Sequence, residues 1–558
     1  MKCPLQYWIA IVLIGFAALD AAPLQALEVE NAEITARFSY ARSLAQHNNQ
    51  RMEVELSPVL ELRTGDTGYF TGALRLRYDP EYPHGDDDLN RGYWSASEPV
   101  RYGDHTSLEL RDLYWDSSFG ELNVRLGKQQ IVWGALDGIK LLDLVNPQSF
   151  QDFILRDFAD SRIPLWSALV AVPLPSGKLE FVWAPDTTTH ELAAPQSAFQ
   201  FTAPRFLFGF SAAEGESSGH NPPRDLGDSW RDGTYASRLS AYLDGWDLAF
   251  NLLYGNDFRP VGAFVSSADG EELVARHEPR TVFGFSAGKT FGAVGLRTEI
   301  ALQHDAAFNT LAADRDPSSL AIVDRDRLGA ALALDWNAPL GIFLNAQVLH
   351  DRVLDAPDRL VRPRDETLFT LYTHRRFLYE TLQLELRWYT MFDRRDSLYR
   401  AALRYQFNDD VMGFFTWAQG FKSGGFNGRA TTPTSIGPFD PETADNFEIG
   451  LKSQWLDNRV QINVNAFYTD IQDFQQAFIR PSQGAGGQET IQSNLGSVET
   501  KGFEAEIRAI PIENLSLWAS VGYLDVSQQG FCTDSDGTSG TDPDNPPDVP
   551  GPFSQDLE

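Results

Sequence analysis

Cysteine is nearly absent. Two occur in 558 residues, and Cys3 lies in an apolar leader, so Cys532 stands alone and neither a disulfide framework nor a cysteine metal cluster is available. Lysine is scarce as well, since 38 of the 46 basic residues are arginine. Positive charge is in deficit overall: the formal net charge of −31 would repel phosphates rather than displace their counterions, which excludes nucleic acid as a partner of the whole chain. After Leu19 no apolar run approaches the roughly 18 residues that a spanning helix requires, so a membrane role would have to use strands. The 9 histidines are scattered, with no HExxH and no His-x-x-x-His pair for zinc. No Pro-rich or Ser-rich linker divides the chain into separate cores, which suits one large closed sheet. No constellation of side chains passes the tests for a catalytic centre, so neither an enzyme nor a cofactor is expected.

What is present begins with Tyr7–Leu19, a continuous apolar run after Lys2, followed by the small-residue cleavage point Leu24-Gln25-Ala26. Residues 1–26 therefore read as a secretory signal. Beyond them, segments of about ten residues alternate with period two, the signature of an antiparallel barrel with lipid outside and water inside. Leu74, Leu76 and Tyr78 alternate with Arg75 and Arg77; Val294, Leu296, Ile300 and Leu302 oppose Arg297, Glu299 and Gln303; Leu382, Leu384, Leu386 and Trp388 oppose Gln383, Glu385 and Arg387. Arginine at such positions pairs bidentately with carboxylates in a polar lumen better than lysine would.

Pro175-Ser176-Gly177, Asp244-Gly245, Asn337-Ala338-Pro339 and Asp457-Asn458 are short hairpin turns. Glu81 to Pro99, Gly215 to Asp232, Asp305 to Asp326 and Gly424 to Pro441 are long, polar connections. That asymmetry separates periplasmic turns from extracellular loops. The fold class is all-β, an antiparallel transmembrane β-barrel of roughly 20 strands in the outer membrane of a Gram-negative bacterium. Tyr78, Trp115, Trp183, Tyr254, Trp336 and Trp417 sit at strand ends, where they either form interfacial girdles or pack as ordinary sheet aromatics.

The run Arg125 to Pro147, RLGKQQIVWGALDGIKLLDLVNP, followed by Arg162-Ile163-Pro164-Leu165-Trp166, carries a resemblance. It is similar to the porin-like outer-membrane family called domain of unknown function thirteen-zero-two, near the alginate-export porins, and the likeness extends over residues 28–405. On the residues themselves, Asn123, Arg125 and Gly127 oppose Leu122, Val124 and Leu126 on a strand; Gly127 invites a bulge from which Lys128 falls out of phase, and Trp133-Gly134 ends the strand. Asp137, Lys140, Asp143 and Asn146 then allow two readings. They fold into the pore as a charged constriction, or Asp143 and Asn146 cap local turns and hold the loop to the wall. Arg125, Lys128, Asp137, Lys140, Asp143 and Asn146 are thus the candidate pore or loop-anchoring residues.

A second resemblance starts at a seam, Leu398 to Asn427, where the alternating strand Tyr399 to Gln406, the turn Asn408-Asp409-Asp410 and a strand with Val411, Phe415 and Trp417 form a hairpin. GFKSGGFNGR at 420–429, Asn446 to Lys452, the strand VQINVNAFYTDIQDFQ, Asn494-Leu495-Gly496 and Lys501 to Glu506 resemble consecutive barrel strands of a TonB-dependent receptor. The implied organisation is a signal at 1–26, a porin-like region at 27–405 and a receptor-like barrel fragment at 406–558. No stretch between Ala26 and Leu398 looks like a receptor plug with a TonB-contacting segment, which argues against TonB as a partner. The chain also stops in a loop, which points to a truncated or joined reading frame or to a genuine fused gene; related receptors often carry a partner for Cys532 there.

Gly85-Asp86-Asp87-Asp88 and Asp534-Ser535-Asp536-Gly537 lack the full twelve-residue calcium loop with its closing Glu and read as solvated acid, while His374 with Arg375 and Arg376 reads as a basic rim. The expected function is a channel or uptake protein for small solutes, hydrophobic or bearing anionic groups, with receptor-type nutrient uptake and a non-functional truncated fusion as the alternatives. The expected partners are outer-membrane lipid and lipopolysaccharide, the barrel-assembly machinery and the solute. Because the first strand, near Ile34 to Ala41, and the last, Leu515 to Leu524, come from different resemblances, the ring is expected to close imperfectly, with residues 407–558 gaping or splaying.

Overall fold

The computed structural model describes residues 28–43, 48–64, 68–81, 92–103, 105–151, 158–192, 232–267, 270–310, 320–393, 396–422, 424, 439–481, 488–494, 496–513 and 515–529. The expected leader, both cysteines and the acidic stretches at 86–88 and 534–536 lie outside the described residues. The main sheet has 22 strands, of which Val100–Tyr102 only edges a longer neighbour, leaving 21 in the wall. The first seven are β1 (Glu28–Ser43), β2 (Asn48–Thr64), β3 (Gly68–Tyr78), β4 (Thr106–Phe119), β5 (Leu122–Gln129), β6 (Leu165–Leu174) and β7 (Gly177–Ala184). Next come β8 (Thr234–Leu243), β9 (Trp246–Asn256), β10 (Pro279–Phe291), β11 (Val294–Thr310), β12 (Ala321–Ala338), β13 (Ile342–Val353) and β14 (Asp365–Phe377). The wall ends with β15 (Leu382–Met391), β16 (Asp396–Asn408), β17 (Val411–Lys422), β18 (Glu442–Trp455), β19 (Val460–Gln472), β20 (Ser497–Ile512) and β21 (Leu515–Gln529). No helix of the described residues is long and apolar enough to cross a membrane.

Each strand pairs antiparallel with the next, so with an odd number of strands the first and last must run in the same direction. They do. β1 and β21 pair in parallel, from Ile34 opposite Leu515 through Tyr40 opposite Val521 to Ser43 opposite Leu524. The expected imperfect closure is therefore overturned: the ring is closed, with β17 to β21 part of it. The physical reason is that the two pleats are in phase. Phe38, Leu517 and Val521 all face outward, while Arg37 lies inward and stacks on Trp518, its guanidinium 5.3 Å from the ring centroid. The seam hairpin is formed as the turn residues imply, with Asn408 Oδ1 accepting the N–H of Asp410 at 2.9 Å and of Val411 at 3.0 Å.

The two faces of the wall follow the alternation. Leu74, Leu76, Ile300, Leu384, Leu386, Ile462, Val464, Phe503 and Ile507 are exposed on the outside, and Arg75, Arg77, Glu299, Gln303 and Glu385 are buried on the inside. Trp183, Tyr235 and Tyr254 occupy one cross-strand row over β7 to β9 and are exposed outward, as an interfacial girdle requires. Short turns cluster at one end, for example Asp244-Gly245, both in the left-handed region at φ 48° and 80°. The connection read as Asp305 to Asp326 is shorter than expected. β11 continues to Thr310 and β12 begins at Ala321, the register shifting after Gln303 where Asp305 adopts φ 56°.

Candidate lumen site: an inward segment and a charged inner wall

The chain between β5 and β6 turns into the barrel. β5 stops at Gln129, earlier than the expected end at Trp133-Gly134, and Gly127 is the reason its phase breaks. Gly127 has φ 130°, and a Cβ there would stand 2.1 Å from the carbonyl oxygen of Leu113 on the neighbouring strand. No register shift accompanies it, so the expected bulge is instead a close backbone approach. Its effect is to swing Lys128 inward next to Gln129, so that both are buried and the Lys128 ammonium donates to the carbonyl of Ser97 at 3.3 Å.

Past Gln129 the segment packs on the inner wall over an arc from β1 to β13. Ile131, Trp133, Leu141, Leu142 and Val145 form one buried cluster with Val182, Ala236, Leu253, Val282, Ala301 and Ala331, one each from β7 to β12. Each large side chain removed from water there contributes about 1.5–3 kcal/mol. Polar contacts fix the position. Glu299 is fully buried on β11 and accepts the backbone N–H of Ala135 and, at 3.2 Å, of Leu142. Gln347 on β13 accepts the N–H of Asp137 at 3.2 Å and donates to its carbonyl at 2.9 Å.

The later part of the segment meets the opposite end of the arc. Arg75 donates to Asp160 at 2.9 Å, Arg111 to the carbonyl of Arg162 at 2.7 Å and Arg77 to Gln151 at 2.8 Å. Arg37 on β1 approaches Asp160 at 3.7 Å. Arg75, Arg77 and Arg111 belong to a buried ladder with Glu55 and Glu109 on β2 to β4, in which each charge is paired; removing one member of such a ladder typically costs about 3–5 kcal/mol.

The six sequence candidates divide by place. Arg125 and Lys128 stay on β5, and Arg125 pairs with Asp116 at 2.7 Å and lies over the Tyr114 ring at 4.8 Å. Asp137 bonds Arg297 at 2.5 Å and Asn345 at 3.3 Å across the lumen edge. Asp143 joins the two halves of the segment through Arg162 at 2.6 Å and takes Lys140 at 3.4 Å. Burial pushes the Lys140 ammonium below its ordinary pKa, against the pull of Asp143. Asn146 is buried and makes three backbone bonds, accepting from Ile131 at 2.7 Å and donating to Ile163 at 2.9 Å and Gln129 at 3.3 Å.

Sequence reasoning placed Glu299 on the polar face of its strand without an anchoring role, and it did not single out Gln347 or Asp160. A signal existed: Leu328–Leu334 reads LGAALAL, apolar on both faces, which marks an inner wall covered by protein rather than water. Sequence reasoning also passed over a G-x-S-x-G pattern, Gly284-Phe285-Ser286-Ala287-Gly288. It lies in unbroken register within β10, Gly284 opposite Ala301 and Gly288 opposite Arg297, and so lacks the sharp strand-to-helix turn of a nucleophile elbow.

Beyond the covered arc, the inner faces of β16 to β20 carry exposed or half-exposed charge: Arg400, Arg404, Glu448, Lys452, Glu504, Glu506 and Arg508. A cavity of about 470 Å³ lies against all of these but Arg508, with Phe414 and Trp518 also on its walls. At the loop end near β9 to β14, Asp257 sits between Arg280 at 2.7 Å and Arg259 at 3.6 Å, and Asp351 between Arg327 at 2.5 Å and Arg362 at 2.9 Å.

A closed ring of two-faced strands, greasy outside and charged within, defines an integral transport barrel of the Gram-negative outer membrane. The family model described as TonB dependent receptor-like, beta-barrel, matches residues 178–551, and the chain belongs to that family. This membership puts it among transport barrels rather than enzymes. Among solved structures, it is similar to Salmonella typhi OmpF in complex with daunomycin, at 7% identity and TM-score 0.32 over 65% of this chain and 89% of that one. It is also similar to a mutant of the ferric enterobactin receptor PfeA of Pseudomonas aeruginosa, at 11% identity and TM-score 0.31 over 92% and 67%. A third similarity is to the copper transporter OprC, at 11% identity and TM-score 0.33 over 90% and 62%.

Proposed function

We propose that this barrel is a receptor-type uptake protein that takes a small solute into the charged part of its lumen, between the inward segment and strands β16 to β20. The observation that carries the reading is the division of the inner wall. Over β1 to β13 it is covered by the chain's own buried segment, and over β16 to β20 it presents a cavity lined by charges of both signs. Such a one-sided lumen narrows the path and gives the solute a wall to bind, which raises its local concentration in a way that bulk water would not. Membership of the receptor-like family supports the same reading.

A passive channel is the second reading, favoured by the exposure of Lys452, Glu504 and Arg508 on the inner face. Purified full-length protein in planar bilayers separates the two. The receptor reading expects little current without solute and a change on adding it; steady ohmic conductance from every inserted barrel would replace it with the passive channel.

A further inference from the structure

The charges on β16 to β20 are ordered. One cross-strand row runs Arg404, Phe414, Gly450, Asn465, Glu504, and the neighbouring inward row runs Gln406, Met412, Lys452, Asn463, Glu506, Ser520. In the second row the backbones of Lys452 and Glu506 stand two strands apart, roughly 10 Å along the wall at the usual inter-strand spacing. Among the described residues neither Lys452 nor Glu506 forms an ion pair. Arg404, by contrast, is committed to Glu385 on β15. Asn463 on β19 stands between Lys452 and Glu506, and an aromatic ring flanks Lys452 on the side away from Glu506. A Cβ on Gly450 would meet Phe414 Cζ at 2.6 Å, so the Phe414 ring lies over the glycine, and Lys452 stands 5.6 Å from the ring centroid.

We infer that this wall is a binding subsite for a dipolar solute, one that carries an anionic and a cationic group about 10 Å apart with an apolar or planar portion next to the anionic group. The inference rests on the uptake reading above and names its solute class. The anionic group meets Lys452, the cationic group meets Glu506 with Glu504 beside it, the middle passes over Asn463, and a ring next to the anionic group stacks on Phe414. A solute of one sign alone would gain one contact and face a like charge at the other end, so selection comes from repulsion as well as attraction. A tripeptide with free termini has this span, since three extended residues cover roughly 10 Å.

The test uses the full-length protein in detergent and a glycine–glycine–phenylalanine tripeptide, with its N-acetylated and C-amidated forms as controls. Calorimetric titration is expected to show the free tripeptide binding at least about ten-fold more tightly than either blocked form. Glu506→Gln should abolish the penalty of acetylation while leaving that of amidation; Lys452→Gln should do the reverse, and Lys452→Arg should restore the wild-type pattern. Heat-modifiable migration of each variant confirms its folding. Equal binding of all three peptides, or none, overturns the inference. Planar-bilayer current reads uptake separately: a solute-dependent change in current without peptide preference sinks the subsite and leaves the uptake reading, whereas peptide preference with steady ohmic conductance supports the subsite and sinks receptor-type uptake.

Discussion

Glu299 on β11 accepts the backbone N–H of Leu142 at 3.2 Å, and through its other oxygen that of Ala135, so one buried carboxylate holds both ends of a turn that has left the wall. Glu299→Ala would leave two buried donors without partners, at about 1–3 kcal/mol each. The barrel should still assemble, since the wall pairs through backbone. The expected result is new protease cleavage between residues 131 and 145 and a larger single-barrel conductance. Unchanged cleavage and conductance would mean that the apolar cluster alone holds the segment.

The closed ring predicts heat-modifiable migration on gels and protease resistance across the strands from 407 to 529. Ala519 lies opposite Phe38 on one side and Ile507 on the other, so Ala519→Pro strikes the closing ladder. A proline there removes a donor from a strand whose unpaired groups would face hydrocarbon at several kcal/mol each, by rough estimate. The variant should migrate at its boiled position without boiling. Retained heat modifiability would show that closure does not depend on this pairing.

Gly127→Ala introduces a Cβ 2.1 Å from the Leu113 carbonyl at a backbone φ of 130°. Strain at such a position is on the order of 1–3 kcal/mol before the clash is counted. A lower yield of folded barrel and a lower melting temperature are expected. Wild-type folding of the alanine variant would contradict the close approach of β4 and β5.

His190 lies outside the spanning strands, and its Nδ1 accepts the N–H of Gln148 at 2.9 Å while its ring packs against Phe150 and Phe258. Burial pushes its pKa down to about 3, from an ordinary value near 6.5. A depressed base binds fewer protons folded than unfolded, so its contribution is complete above about pH 6.5 and is lost as pH falls toward the folded value. Limited proteolysis around residues 148 and 190 should therefore increase between neutral pH and about pH 4, and His190→Gln, which keeps an acceptor, should flatten that change. A pH response identical in the two proteins would remove His190 as its source.

The alternation of Leu74 with Arg75, or of Leu384 with Glu385, decided the class of fold before any coordinates, because a strand between lipid and water has no other way to satisfy both faces. Short turns such as Asp244-Gly245 were legible for the same reason: the conformation needs residues that tolerate positive φ. The inward direction of the Gln130–Pro147 stretch was weighed from its charges. What it packs against was not readable, since Glu299 and Gln347 lie 157 and 210 residues away from the groups they bind and look like any other lumen polar.

Closure shows the limit most plainly. The sequences of β1 and β21 carry the right period, but whether their pleats meet in phase depends on the tilt and stagger accumulated over every strand between them, a property of the whole ring and of no single segment. The same holds for Lys452 and Glu506, placed two strands apart by registers that only the assembled wall fixes. Local periodicity determined that there is a barrel with a charged interior. Long-range register decided that it closes, which arc is covered and which charges face the open lumen.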